Sequence, residues 1–436
     1  MGANLLLQTI CVTLEFLAMA APEKAATAVP IAIRTAVIAC LVVLADVAAL
    51  HLDFRQPFVG YGIGGACLLL LAARPGWRQV VKVIAAAAMI CFFVVRRVED
   101  AATLVIQLTG SLGLATLLFL FCKAVWEPRE ARSKTFRILL PSCVLTFMIF
   151  GSVYSLNMAS YLHAKTFDLY TFVFDGSLGF QPSFVCGREL AANSWLFPPV
   201  RLTYEGIVLA MAAFYAAFMA RREKPIWELI ELLFAAAMVG YLFFSVFPVC
   251  GPRYGFPASF PGADFPYARL ESLNLQRVPV DWLIPRNGVP SLHFTWALLI
   301  WWNTRSLPRW GRLTATAFVL ATAFDTMATG EHYLFDLLAA LPFALCMQAS
   351  MVRTVAFRNR ERWLPVLCGG AMFLGWLILC RFGLSLLLLS PFLPWSLALA
   401  SSAISIVWAF RLPALIPEME MPIASRARIK AVAATA

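Results

Sequence analysis

The sequence predicts an all-α polytopic integral membrane protein with about 12 transmembrane helices. Three observations predict it. First, 61% of the 436 residues are hydrophobic and only 14% are charged, with a mean hydropathy of +0.78. A soluble fold has no need to bury so much apolar surface. Second, the apolar residues come in repeated runs, and a bilayer core takes about 20 helical residues to cross. Third, the basic residues gather in short loops between the runs, as the positive-inside rule describes. The net charge of +11 is therefore a topology signal and does not indicate a nucleic-acid partner.

The expected spans are 30–50, 57–73, 79–95, 101–126, 136–158, 199–220, 226–249, 290–306, 311–330, 332–352, 363–380 and 384–410, with Pro391 and Pro394 kinking the last. The segment 4–21, which carries Glu15, is a span, an interfacial helix or a start-transfer segment. It lacks the basic n-region of a cleaved signal peptide. The loops 127–137, 221–224, 305–312 and 353–362 hold 14 Lys or Arg in 33 residues, against six in the 79 residues of loops 159–198 and 251–289. The basic loops, and the basic tail with Arg426, Arg428 and Lys430, are placed in the cytoplasm. The two long loops face the periplasm, lumen or exterior. Loops of that length are more often functional than decorative. Their Pro, Gly and aromatic content suggests structured interfacial coil. No internal repeat stands out.

Of eleven cysteines, most lie within apolar spans, where a thiol behaves as a small hydrophobe. Cys186 and Cys250 lie in or beside the outer loops, in a compartment that permits a disulfide between them. Two shielded thiols are the alternative.

The chemistry concentrates in Pro290-Ser291-Leu292-His293 and Glu331-His332-Tyr333-Leu334-Phe335-Asp336. Ionisable groups are expensive in a membrane bundle and are functional candidates by default. The 39 residues between His293 and His332 are about two crossings and a turn at 1.5 Å per residue, so both return to one membrane face. Each is expected in the first turn of its helix, with Pro290 at the first helical position and Gly330 ending the preceding helix. Helix N-termini favour bound phosphate and disfavour imidazolium. Asp336, four residues after His332, lies on the same helix face. It can accept the Nδ1–H of His332 and turn Nε2 toward a substrate. His293 can protonate a leaving oxygen, and Ser291 can donate to a phosphoryl oxygen. Arg253, in Cys250-Gly251-Pro252-Arg253-Tyr254, is a candidate phosphate clamp. Arg286 is a second, and Gly288 permits close backbone approach. Glu331 is read as a helix-dipole partner or as a group that repels phosphate. Asp325 either pairs with an arginine or tunes the site. His51 and His163 are read as structural.

The order Gly-Pro-x-Tyr, Gly-x-Pro-Ser-Leu-His and His-Tyr-x-x-Asp resembles the type 2 phosphatidic acid phosphatase superfamily, and more narrowly the inositol phosphorylceramide synthase branch and its bacterial relatives. The resemblance covers roughly residues 136–352, and Asp175-Gly176-x-x-Gly179-Phe180-x-Pro182 is similar to that branch's outer loop. It implies a six-helix core, a covalent intermediate on His332, lipid phosphate monoester or diester substrates, and no metal or cofactor. The superfamily's basic first motif is reduced to Arg253, with Tyr254 beside it, and the Arg usual six residues before the second histidine is Thr326. On this resemblance the chain divides into accessory helices (1–130), a catalytic core (131–352), and C-terminal helices with a basic tail (353–436). The expected activity is lipid head-group phosphotransfer at the outer leaflet, with a phosphatase as the alternative. A lipid transporter or non-catalytic lipid-binding scaffold is the reading from another class. Membrane lipids are the expected partners.

Overall fold

The computed structural model describes residues 57–94, 100–221, 227–262, 270, 274–413 and 415. Every expected span inside those residues is helical. The first two are α1 (Pro57–Ala72) and α2 (Trp77–Val94). Asp100 caps α3 (Ala101–Trp126) by accepting from Thr103 N at 2.7 Å, and α3 stops two residues before Pro128, where an α conformation is disfavoured. The 34-residue α4 (Arg129–Leu162) is about 50 Å long at 1.5 Å per residue. Its apolar course binds α9 and the accessory helices α1 and α3 to one bundle. The approach of α1 to α3 depends on small residues: a Cβ at Gly113 would lie 2.2 Å from Ile63 O, so this crossing is closed to any larger residue.

The first long loop, 159–198, is not coil. It folds into α5 (Asp168–Ser177) and α6 (Pro182–Ala192), preceded by a two-residue strand β1 (Lys165–Thr166). Its apolar residues bury inward: Phe167, Phe172, Val173, Phe174 and Phe184 are all 1% exposed or less. The expected span 199–220 is also corrected. It is α7 (Phe197–Glu205) and α8 (Ile207–Met219), which meet at Gly206 with the chain bent by 67°. The bend falls where the composition changes: α7 carries Arg201, Thr203 and Glu205, and the apolar run begins only after Gly206.

The remaining helices are α9 (Trp227–Val246), α10 (Leu292–Asn303), α11 (Arg309–Ala328), α12 (Leu334–Met351), α13 (Arg360–Phe382) and α14 (Phe392–Arg411). As expected, the last span is broken near Pro391: a one-turn helix at Leu384–Leu387 precedes α14. Strand β2 (Val278–Pro279) pairs antiparallel with β1 and so ties the two long loops together. Among the described residues, six helices are long and apolar enough to cross a membrane, or seven if the bent pair is one span. The expected span 30–50, segment 4–21 and His51 lie outside the described residues.

Helix α12 is the buried centre, with 78% of its apolar window inside the protein. It packs against α9, α10, α13 and α14. Phe335 near its start meets Phe174 of α5 edge-on at 5.0 Å, and Phe174 meets Trp376 of α13 at 5.4 Å. Trp395 of α14 donates its indole N–H to Leu178 O at 3.0 Å. The C-terminal helices thus brace α5 from behind.

Candidate active site

Two loops and two helix starts converge where α5 meets α12. Helix α11 ends as expected: Gly330 takes φ +74°, the left-handed conformation a helix-stopping glycine supplies. The chain then runs through Glu331 and His332 before α12 begins at Leu334. His332 therefore stands two residues ahead of its helix, not in the first turn. Its backbone N–H donates to Thr326 O at 3.1 Å, and its carbonyl accepts the Ser183 hydroxyl at 2.8 Å. These bonds fix the loop independently of the ring.

The ring is placed by Asp336. His332 Nδ1 lies 3.2 Å from Asp336 Oδ2, and both residues are fully buried. The same carboxylate oxygen accepts Tyr333 N at 2.9 Å. A carboxylate can only accept, so the imidazole proton belongs on Nδ1 and the lone pair on Nε2. That Nε2 is buried and has no hydrogen-bond partner among the described residues.

His293 is the second residue of α10. Ser291 caps that helix, its hydroxyl oxygen accepting Phe294 N at 3.4 Å, and Pro290 falls just outside the cap. Ser291 N also lies 3.4 Å from Asp336 O. The His293 ring stacks on Tyr204 at 4.2 Å and 11°, with Phe58 edge-on at 5.8 Å. Its Nε2 is likewise buried without a partner. The two imidazole centroids are 6.3 Å apart.

Arg253 and Tyr254 enter from a one-turn helix, Pro252–Gly255. Arg253 N donates to Gly330 O at 3.0 Å. Gly251, at φ +92°, lies so close that a Cβ there would meet Glu331 O at 2.4 Å. Tyr254 donates its hydroxyl to Glu331 Oε1 at 2.9 Å, and Arg253 Nη1 is 3.7 Å from the same oxygen. Glu331 thus faces Tyr254 and Arg253 instead of serving the helix dipole. Burial pushes its carboxyl up from the usual carboxylate range, while the Tyr254 hydroxyl and the Arg253 guanidinium pull it down. Burial and the Glu331 charge raise the Tyr254 hydroxyl, which stays protonated.

Two expectations change, and of the two alternatives for Cys186 and Cys250 the structure has the thiols. All five N–H directions of the Arg286 guanidinium are taken by carbonyls: Nε and Nη2 bond to His163 O, Nη2 also to Val280 O, and Nη1 to Asp281 O and Ile284 O. Arg286 is fully buried and fastens the second long loop to the end of α4; nothing remains to clamp a phosphate. Gly288 makes its close approach to Val249, whose O accepts its N–H at 2.8 Å, and not to a substrate. Cys186 and Cys250 are both free thiols. Cys186 packs beside Leu190, Val200 and Ala328, whereas Cys250 Sγ lies 3.2 Å from Asp168 Oδ2.

The residues missed in the sequence are on α5. Asp175 Oδ2 accepts Leu334 N at 2.9 Å and its Oδ1 accepts Phe335 N at 3.0 Å. Seven residues earlier on the same helix, Asp168 accepts Gly251 N at 2.9 Å and Cys250 N at 3.1 Å. One helix thereby holds both halves of the site: the loop carrying Arg253 and Tyr254, and the start of α12. Burial pushes the Asp175 carboxyl well up, against the two backbone N–H groups that pull it down. The signal in the sequence was the Asp175-Gly176-x-x-Gly179 stretch, noted there without a role. Asp325, on α11, is buried, and neither of its oxygens has a partner among the described residues.

The fold and site together define a polytopic helical membrane protein with a buried, paired-histidine centre. A family model described as the PAP2 superfamily matches residues 170–350, from within α5 to the end of α12, and so contains both histidines, Asp336, Asp175, Arg253 and Glu331, while Asp168 and Phe58 lie outside it. The matched stretch, 181 of the chain's 436 residues, is similar to that superfamily. No curated protein and no solved structure matches the chain significantly.

Proposed function

We propose that the protein is a lipid phosphotransferase of the kind the inositol phosphorylceramide synthase branch represents, working at the outer leaflet through a histidine nucleophile. The observation that carries this reading is the pair of buried, unpartnered Nε2 atoms on His332 and His293, on rings 6.3 Å apart, with Asp336 on the far nitrogen of His332. Neutral imidazole nitrogens left bare in a buried site are costly unless a ligand fills the space between them.

In the proposed reaction the His332 Nε2 lone pair forms a bond to phosphorus as the bond to the leaving alcohol breaks. The His332 ring becomes cationic, and Asp336 stabilises that charge. His293 gives its proton to the departing oxygen; the bound phosphate anion supplies the counter-charge that lets His293 carry it. A second lipid's hydroxyl then attacks phosphorus, returning its proton to His293 while the N–P bond breaks. Arg253 and the Ser291 hydroxyl are the proposed phosphoryl contacts. Water in place of the hydroxyl makes the same machinery a phosphatase. The outward orientation is supported by the basic loops at 127–137 and 305–312. The test is turnover of lipid phosphates and phospholipids by detergent-purified protein, with and without diacylglycerol or ceramide acceptors, beside His332→Ala. His332-dependent formation of an acceptor phospholipid supports transfer, and His332-dependent free phosphate supports hydrolysis. Equal product from wild type and His332→Ala, or none from any donor, refutes both and moves the weight to a transporter or scaffold.

A further inference from the structure

The side chains around the two histidines carry little positive charge for a phosphate site. Glu331 directly precedes His332 and is 8% exposed. Its Oε1 accepts the Tyr254 hydroxyl at 2.9 Å and has Arg253 Nη1 at 3.7 Å. Both neighbours favour the ionised carboxylate. The backbone holds the arrangement in place, through Arg253 N donating to Gly330 O and through the contact of Gly251 with Glu331 O. Arg253 is thus already directed at a carboxylate. Asp325 adds a second buried carboxyl, and it and Glu331 both bear on Tyr204, the ring that stacks on His293 at 4.2 Å. Arg253 pairs with Glu331 alone, and Asp325 has no cationic partner among the described residues.

A phosphate monoester carries close to two negative charges near neutral pH, since its second pKa is about 6. A diester carries one. The extra charge of a monoester would sit a few ångströms from Glu331, where burial leaves the repulsion poorly screened. We propose that Glu331 is a specificity-determining residue that admits monoanionic phosphodiester lipids to the His332 centre and disfavours dianionic lipid phosphate monoesters. The inference rests on the lipid-phosphate reading of that centre and names the charge class of its donor. Glu331 discriminates in two ways: it repels the second charge, and it draws on the Arg253 guanidinium that would otherwise offset it.

The test compares phosphatidylmethanol with phosphatidic acid of matched acyl chains. The two differ by one methyl group and one charge, and both lose the same diacylglycerol. Full-length protein in detergent is assayed for diacylglycerol release with ceramide present, at mildly alkaline pH, which favours the ionised form of a carboxyl raised by burial. Wild type should favour phosphatidylmethanol in kcat/KM. Glu331→Gln, which keeps an oxygen to accept from Tyr254, should move the ratio toward phosphatidic acid by roughly tenfold or more, and Glu331→Asp should keep the wild-type preference. The ratio is internal to each preparation, so a smaller folded fraction does not change it. A wild-type preference for phosphatidic acid, or a Glu331→Gln ratio within about twofold of wild type, overturns the proposal while leaving the phosphate reading standing. Release that is absent, or unchanged in His332→Ala, removes both.

Discussion

Replacing Asp175 by alanine isolates the part α5 plays in building the centre. Asp175 is fully buried and accepts two backbone N–H groups from the first turn of α12, at 2.9 and 3.0 Å. Alanine strands both donors. Each unsatisfied buried donor costs about 1–3 kcal/mol. Leu334 is only part-buried at that bond, so water recovers some of its share, and removing a buried carboxylate returns some desolvation free energy. The net expectation is roughly 2–4 kcal/mol. The structural consequence reaches further than the loss of stability. The first turn of α12 carries Asp336, and Asp336 places the His332 ring. A displacement of about 1 Å there is enough to cost on the order of 10²-fold in rate. Asp175→Asn keeps one acceptor oxygen and sheds the buried charge, so it should fall between wild type and alanine in both respects. The assay is denaturant unfolding in detergent micelles together with His332-dependent turnover per folded molecule. An Asp175→Ala protein that unfolds at the wild-type midpoint and turns over at the wild-type rate would refute the reasoning, because Asp175 would then hold nothing that matters to α12.

Two further substitutions separate orientation from scaffolding. Asp336→Asn can present an N–H to His332 Nδ1, which moves the ring proton to Nε2 and removes the lone pair; kcat should fall on the order of 10³- to 10⁴-fold with little change in unfolding, and a loss under tenfold would count against His332 as nucleophile. Arg286→Lys replaces five donors by three, so it should destabilise the protein by about 1–3 kcal/mol and open residues 274–288 to proteolysis. It should leave the KM of the surviving enzyme within about twofold, whereas Arg253→Gln should raise KM; a KM rise in Arg286→Lys alone would return Arg286 to the phosphate site.

What could be read from the sequence was local or governed by length. His332 and Asp336 are four residues apart, and helix-scale spacing was enough to pair them even though His332 itself lies just before the helix. His293 and His332 were brought to one face by the length of two crossings. The apolar runs located the helices because hydropathy and helix length are properties of contiguous residues. The contacts that organise the site are of another kind. Asp175 reaches Leu334 across 159 residues, and Arg286 reaches His163 across 123. A single chain without its fold gives no pairing for such residues, and an arginine next to a phosphate-type motif is naturally assigned to phosphate. Backbone carbonyls carry no sequence signature, so nothing in the residues around Arg286 shows that they would take all its donors.

The helix N-termini are the most instructive of these differences. From the sequence, the starts of α10 and α12 were positive fields awaiting an anion. In the structure the start of α12 is already engaged, since Asp175 and Asp336 accept the N–H groups at Tyr333, Leu334 and Phe335, and at α10 the Ser291 hydroxyl oxygen accepts Phe294 N. Asp168 does the same for the N–H groups of Cys250 and Gly251. The protein's own carboxylates sit where a phosphate would have been expected. On the proposed function, a substrate phosphate would meet the side chains of the histidine pair and Arg253 and not the opening N–H groups of α12, and the carboxyl of Glu331 lies beside Arg253. That distribution explains why charge at the donor phosphate, more than helix-dipole attraction, should decide which lipids the centre accepts.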